Sequence, residues 1–409
     1  MTATTAFPAV GQLSVSIPAI KPDAGWTASW GSAQLQPYGT EVLPSPLDGC
    51  TLRQVVHLST GGTRLRLRFS NAFGQEGLQL RAVHVALLAG TNSAGAIEVA
   101  SDHAVTFAGQ AEVTVPMAAD YVSDAVAMAL PSQTDLVVTL YVAHAPLALT
   151  FHSGARATSF LLKGEHSADP RLDSSQTFTR WYFLAGVETS RDGNVPGAIV
   201  ALGDSITDGH GATTDGNDRW TDVLARRMSA YAATRQMGMV NEGIGGNRVL
   251  ADGLGPNALS RFDRDVLSVA GVRTLIVMEG INDLGGLDRT QTHPKAAHDA
   301  LVKQLTGAFA QFVTRAHAHG IKVLGATLTP YAGSEYYHPA AISEADRVTL
   351  NEWIRHSGTF DGVLDFDLAL RDPMRPDHLL PTYDSGDHLH PGPAGYKRMG
   401  EAVPLDLLQ

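Results

Sequence analysis

Four short stretches carry the residues that chemistry would need. Ser205 sits in Gly203-Asp204-Ser205-Ile206-Thr207, directly after the apolar run Ala198 to Leu202. A hydroxyl held where a strand gives way to a loop is open to substrate yet anchored by rigid backbone. The same residues read equally as ordinary Asp-Ser turn composition. In Asn241-Glu242-Gly243-Ile244-Gly245-Gly246-Asn247-Arg248 the glycines let backbone N–H groups approach a ligand closely, or simply form a tight turn. Glu279-Gly280-Ile281-Asn282-Asp283 offers a side-chain amide able to donate to a developing oxyanion, or to cap a turn. In Asp384-Ser385-Gly386-Asp387-His388-Leu389-His390-Pro391, Asp387 and His390 are three apart. Within one helical turn that spacing puts carboxylate and imidazole on one face. The carboxylate then holds the tautomer that leaves the other ring nitrogen free as a base. His388 and His390 also spell a His-x-His metal pair. Such a site needs further ligands, and no clear set presents itself, so it ranks below the dyad.

These residues need a scaffold that brings them to one edge. Strand patterns at Ala198 to Leu202, Met239 to Glu242, Thr274 to Met278, Lys322 to Leu328 and Val363 to Phe366 alternate with helical patterns. One helix carries Trp220, Val223, Leu224, Met228 and Tyr231 on one face. The clearest runs from about Lys295 to His319, with Leu301, Leu305, Phe309 and Phe312 apolar and Gly320 as a stop. Alternating elements predict a parallel sheet covered on both faces, with ligands outside the carboxyl ends of its strands. All four chemical stretches follow such strands.

Upstream the period is two. Arg64-Leu65-Arg66-Leu67-Arg68-Phe69 alternates strictly, and Val83 to Leu88, Glu112 to Val115, Asp135 to Val142 and Trp181 to Val187 behave alike. Short strands separated by turn signals predict an antiparallel sandwich or jelly roll, with the arginines on a solvated face. Trp26 and Trp30, four apart, read as a helical pair, a sugar anchor or, preferably, core. Turn formers from Arg191 to Gly197 mark a boundary. The expected division is an extended arm over residues 1–22, a β-sandwich over 23–193 and an α/β unit over 194–409.

The 409 residues, 44% hydrophobic and 17% charged, are enough for two cores and argue against extended disorder. A net charge of -11 gives no basic footprint for nucleic acid or anionic lipid, so neither is expected as a partner. Cys50 is the only cysteine, which excludes an intrachain disulfide and a cysteine zinc cluster. It reads as a small buried hydrophobe. No apolar run approaches the ~18 residues of a membrane span. The first residues lack the pattern of a signal peptide, as would a chain whose leader had been removed, so the compartment stays open. Oligomeric state is not legible.

Together the four stretches resemble the SGNH (GDSL) hydrolase superfamily, from about Gly197 onward. The match lies in Gly203-Asp204-Ser205-Ile206-Thr207, in Gly246, in Gly280-Ile281-Asn282-Asp283 and in Asp387-His388-Leu389-His390. Each is short, but their order and their places after successive strands make a set. The resemblance implies a flavodoxin-like α/β three-layer fold with Pro393 to Val403 as the closing helix. It implies Ser205 as nucleophile, His390 as general base and Asp387, rather than Asp384, as the group orienting it. It implies an oxyanion hole from the Ser205 and Gly246 backbone N–H groups and the Asn282 side chain, with no metal or cofactor. The preceding β-unit, beginning at Trp26 to Trp30, also looks like a subgroup of bacterial esterases, some associated with xylan degradation.

The implied function is a serine esterase acting through an acyl-enzyme on short-chain or acetyl esters, including those of carbohydrates. The alternatives are a lipase or lysophospholipase of the same superfamily and a non-catalytic carbohydrate-binding protein. A nucleotide-binding enzyme is disfavoured because the first turn lacks Gly-x-Gly-x-x-Gly. The segment from Thr329 to Ala340, with Tyr331, Tyr336, Tyr337 and His338, reads either as pocket lining or as a solvent-facing crossover.

Overall fold

The computed structural model describes residues 25–38, 46–90, 95–190 and 197–409. The arm expected over residues 1–22 and most of the turn-rich boundary lie outside the described residues. Among those described, no helix is long and apolar enough to cross a membrane.

Period-two patterning produces two large antiparallel sheets, with the short pair Phe151–His152 and Trp181–Tyr182 beside them. In the strand Gly62–Ser70, Leu65, Leu67 and Phe69 are fully buried. This strand pairs with Leu184–Ser190, which pairs with Trp26–Gly31. The facing sheet is built on Cys50–Leu58, Thr134–His144 and Leu78–Leu87. Leu65, Phe69 and Leu184 from the first sheet share one apolar core with Leu52, Val56 and Leu140 from the second. Cys50 is buried, as expected, and burial pushes its thiol up.

Trp26 and Trp30 are buried, as the preferred core reading expects; their helical and sugar-anchor alternatives and the solvated arginine face do not hold. Both lie on a strand, not a helix, and their burial leaves neither available as a sugar anchor. A bulge between Ala28 and Trp30 breaks the alternation that an even spacing would impose. Trp30 enters the sandwich core, while Trp26 lies beneath the Arg64 and Arg66 guanidinium groups. The arginine face is therefore not simply solvated. Arg66 donates to Glu188 at 2.5 Å, and Arg68 reaches Ser268 of the α/β part at 2.8 Å.

From Ala198 the chain forms a five-stranded parallel sheet. Its spatial order is Gly238–Gly243, Ala198–Gly203, Val272–Met278, Lys322–Ala326, Gly362–Leu364. In sequence terms that is 2-1-3-4-5, the flavodoxin-like order. Val200 and Leu202 pack on one face with Phe309 and Phe312 of the helix Lys295–His317. Ile199 and Ala201 pack on the other with Trp220, Leu224 and Tyr396. The helix Trp220–Ala230 stops before Tyr231, which is exposed rather than part of its apolar face. The closing helix is Pro393–Ala402.

The strand ends are tied together by Arg261, whose side chain has no solvent exposure. It donates to the carbonyls of Gly203 (3.0 Å) and Glu242 (2.7 Å), to Asn247 Oδ1 (2.9 Å) and to Asp265 (3.0 Å). Burial drives the Glu242 and Glu279 carboxyls well above the usual carboxylate range, against the opposing pull of Arg261 and, for Glu242, of Arg68 and Arg264. Arg261→Ala is expected to lower unfolding stability by about 3–5 kcal/mol, because it leaves the buried Gly203 and Glu242 carbonyls and Asn247 Oδ1 without their donor and Asp265 with Arg264 alone. Denaturant titration of the variant reads this directly.

Candidate active site

Ser205 opens a one-turn helix, Ser205–Asp208, at the end of the first parallel strand. Asp204 caps it, its side chain accepting from the Ile206 N–H at 2.9 Å. Burial pushes the Asp204 carboxyl up to about 7. The cap fixes the helix N-terminus, so the Ser205 N–H points out of the helix without an acceptor among the described residues.

His390 arrives from the far end of the chain. Its Nε2 lies 2.7 Å from Ser205 Oγ, and its Nδ1 lies 2.6 Å from Asp387 Oδ2. The expected helical turn is absent here. Asp387 instead forms an Asx turn, its Oδ1 accepting the N–H groups of Leu389 (3.0 Å) and His390 (2.8 Å). That folds the carboxylate back against its own histidine ring. Burial works to raise the Asp387 carboxyl, but the bonds from the His390 ring and backbone outweigh it and hold it well below the usual range. Leu389, buried in the α/β core, anchors the loop.

Asp384 does not compete for His390. It pairs with His388 Nδ1 at 2.6 Å. His388 is half exposed and is not grouped with His390 as a metal ligand. The group of potential metal ligands that does form, His210, Asp387 and His390, has its atoms within 4.8 Å of one another. Two of its three members are already hydrogen-bonded to each other in the Ser205 series.

The glycine turn after the second strand brings Gly246 to the same place. It has a φ of +73°, and a Cβ there would lie 2.4 Å from Leu254, so a side chain is excluded twice over. Its N–H has no acceptor among the described residues. Asn282, at the start of the helix Ile281–Leu287, uses one amide hydrogen on the Asn247 carbonyl (2.7 Å). Its Oδ1 accepts from the Tyr337 hydroxyl (2.5 Å). This fixes the amide orientation and leaves the second hydrogen free.

All these groups face a cavity of about 740 Å³, lined also by Tyr38, Arg156, Leu254, Glu335 and Tyr336. Among the lining residues that the sequence reading did not single out are His210, Arg156, Asp208 and Ser153. His210 packs against His390 with ring centroids 4.1 Å apart, and Tyr396 holds its carbonyl at 2.6 Å. Burial, then the nearby His390 and Arg156 charges, push the His210 imidazole down. Arg156 comes from the sandwich and reaches His210 Nδ1 at 3.4 Å. Asp208 and Ser153 also reach the cavity wall. Within the 329–340 loop, Tyr336 and Tyr337 line the cavity, whereas Tyr331 is buried in the α/β core.

A serine, a histidine and a carboxylate in hydrogen-bonded series at the strand ends of a 2-1-3-4-5 sheet define the class of serine hydrolases with an α/β core. Residues 201–398 match the sequence model of the GDSL-like Lipase/Acylhydrolase family, and this part of the chain belongs to that family. The protein is a carboxylic ester hydrolase. Among solved structures, it is similar to a G-D-S-L family protein from Desulfitobacterium hafniense, at 24% identity over 51% of this chain and 97% of that one, TM-score 0.38. A GDSL-like lipase from Bacteroides thetaiotaomicron shares 19% identity over 52% and 88%, TM-score 0.38. A carbohydrate acetylesterase from Sinorhizobium meliloti shares 18% over 50% and 95%, TM-score 0.38. No curated protein sequence matches the chain.

Proposed function

We propose that Ser205 attacks the carbonyl carbon of a short-chain ester while His390 Nε2 takes its proton and Asp387 holds His390 Nδ1–H. The observation that carries this reading is the unbroken series Ser205 Oγ–His390–Asp387, with contacts of 2.7 and 2.6 Å. The oxyanion of the tetrahedral intermediate is received by the N–H groups of Ser205 and Gly246 and by the free amide hydrogen of Asn282. Collapse expels the alcohol, protonated by His390, and leaves an acyl-Ser205. His390 then deprotonates a water that releases the acid.

Short acyl groups, acetyl among them, suit the cavity. Arg156, His210, Glu335, Asp387 and His388 give it a polar rim, unfavourable to a long alkyl chain and favourable to a hydroxyl-rich alcohol such as a sugar. The test is a series of p-nitrophenyl esters from acetate to palmitate, below micellar concentrations, beside acetate release from acetylated xylan. Acetate or butyrate is expected to be fastest. Faster palmitate cleavage would assign the site to a lipase, and turnover of aryl acetates without acetate release from xylan would remove the carbohydrate half of the proposal.

Asn282→Ala is expected to lower kcat by roughly 10²–10³ with KM little changed, because the bond it supplies forms mainly in the transition state. Tyr337→Phe, which frees the Asn282 amide to rotate, is expected to cost about tenfold or less. Steady-state kinetics on p-nitrophenyl acetate separate the two.

A further inference from the structure

The sandwich part reaches the catalytic cavity at Tyr38 and through the loop that follows Phe151–His152. The strand Phe151–His152 runs into Ser153-Gly154-Ala155-Arg156, and Ser153, Gly154 and Arg156 line the cavity wall. His152 itself is buried, with only 3% exposure. Its Nδ1 lies 2.8 Å from the Ala33 carbonyl oxygen and its Nε2 lies 3.0 Å from Asp208 Oδ1. A carbonyl oxygen only accepts, so Nδ1 carries a proton. A second proton must then lie between Nε2 and Asp208.

Asp208 closes the one-turn helix that Ser205 opens. Its second oxygen accepts the Gly245 N–H at 3.1 Å. Gly245 shares with Gly246 the peptide group whose N–H faces the cavity. The seat is tight on every side. A Cβ at Gly154 would lie 2.1 Å from Asp208 Oδ2. Arg219 donates to the Asp208 carbonyl at 2.7 Å and to the Gly154 and Ala155 carbonyls at 3.1 and 2.5 Å, clamping the two parts together. Burial favours a neutral Asp208, but His152 and then Arg219 outweigh it and hold the carboxyl below its ordinary range.

We propose that His152 is a positioning residue for the oxyanion hole: acting through Asp208, it fixes the Ile244–Gly245 peptide, whose neighbour presents the Gly246 N–H, so the sandwich forms part of the catalytic apparatus. This rests on the ester-hydrolase mechanism above. It differs from a purely structural role, because a structural contact changes how many molecules are competent, whereas a positioning contact changes how fast each competent molecule works.

The experiment uses the full chain with His152→Leu, Asp208→Ala and the double variant. Competent sites are counted by titration to completion with a fluorophosphonate, and kcat per titrated site and KM are measured on p-nitrophenyl acetate. The expected result is a fall in per-site kcat of about 10–100-fold with KM within about twofold, since small displacements of a reacting group carry penalties of that size. Affinity for an alkylboronic acid, which places an oxygen in the hole, falls in parallel. The double variant is no slower than the worse single variant, because both act through one link. His152→Gln keeps a donor toward Asp208 and recovers part of the rate. If His152→Leu does not fold, Asp208→Ala and His152→Gln carry the same comparison. Unchanged per-site kcat, with only fewer titratable sites, overturns the proposal. A wild-type protein without ester turnover overturns the mechanism it rests on instead.

Discussion

Ser205→Ala is expected to reduce kcat on p-nitrophenyl acetate by about 10⁶-fold, the scale on which loss of an acyl-transfer nucleophile is felt. The fold has little reason to respond. The Ser205 hydroxyl makes its bond to His390 alone, and the helix cap is supplied by Asp204 rather than by the serine. Alanine is also the residue best suited to a helical position. A thermal midpoint close to wild type beside a dead enzyme is therefore the expected pair of readings. Normal turnover in the variant would show that Ser205 is not the nucleophile.

Asp387→Asn is expected to lower kcat by about 10⁴-fold while the loop keeps its shape. The asparagine Oδ1 can still accept the Leu389 and His390 N–H groups that build the turn. Its amide then faces His390 Nδ1, where the carboxylate stood. An amide donates there, so Nδ1 becomes the acceptor and the ring proton moves to Nε2. That nitrogen then has no lone pair for the Ser205 proton. Asp384→Asn is the matched comparison. It alters the partner of half-exposed His388 and leaves the His390 series alone, so kcat should stay near wild type. Equal losses in both variants would remove Asp387 from its assigned role.

The parallel sheet was legible because its central strands are short, largely apolar runs buried on both faces, with turn formers between them and the next helices. The serine and asparagine were legible because they stand directly after such strands; Asp387 and His390 were legible from their spacing, since the helix Phe366–Leu370 and an antiparallel hairpin separate them from the last parallel strand, Gly362–Leu364. Local geometry was less so. Three-residue spacing between Asp387 and His390 fits a helical turn and an Asx turn alike, and Gly386 beside His388, whose φ is +59°, favours the second. Trp26 and Trp30 satisfy helical spacing and an even strand spacing, and only the pairing with Leu184–Ser190 reveals the bulge. Arg261, His152, Arg156 and Tyr337 act on partners tens of residues away or more, such as Gly203, Asp208, His210 and Asn282. No periodicity encodes such meetings; Arg261, His152 and Arg156 taken alone read as core or surface, and Tyr337 as pocket lining without its bond to Asn282.

The pairing of Trp26–Gly31 with Leu184–Ser190 also sets a timetable for biosynthesis. The sheet holding the first described strand can close once Ser190 has been made. Ser205 and His390 are 185 residues apart in the chain, so the serine must wait for its base. At roughly 5–20 residues per second on the ribosome, that wait lasts on the order of 10–40 s. Throughout it the nascent polypeptide carries a structured first half and an unarmed serine, and it becomes an esterase only as its closing helix Pro393–Ala402 emerges.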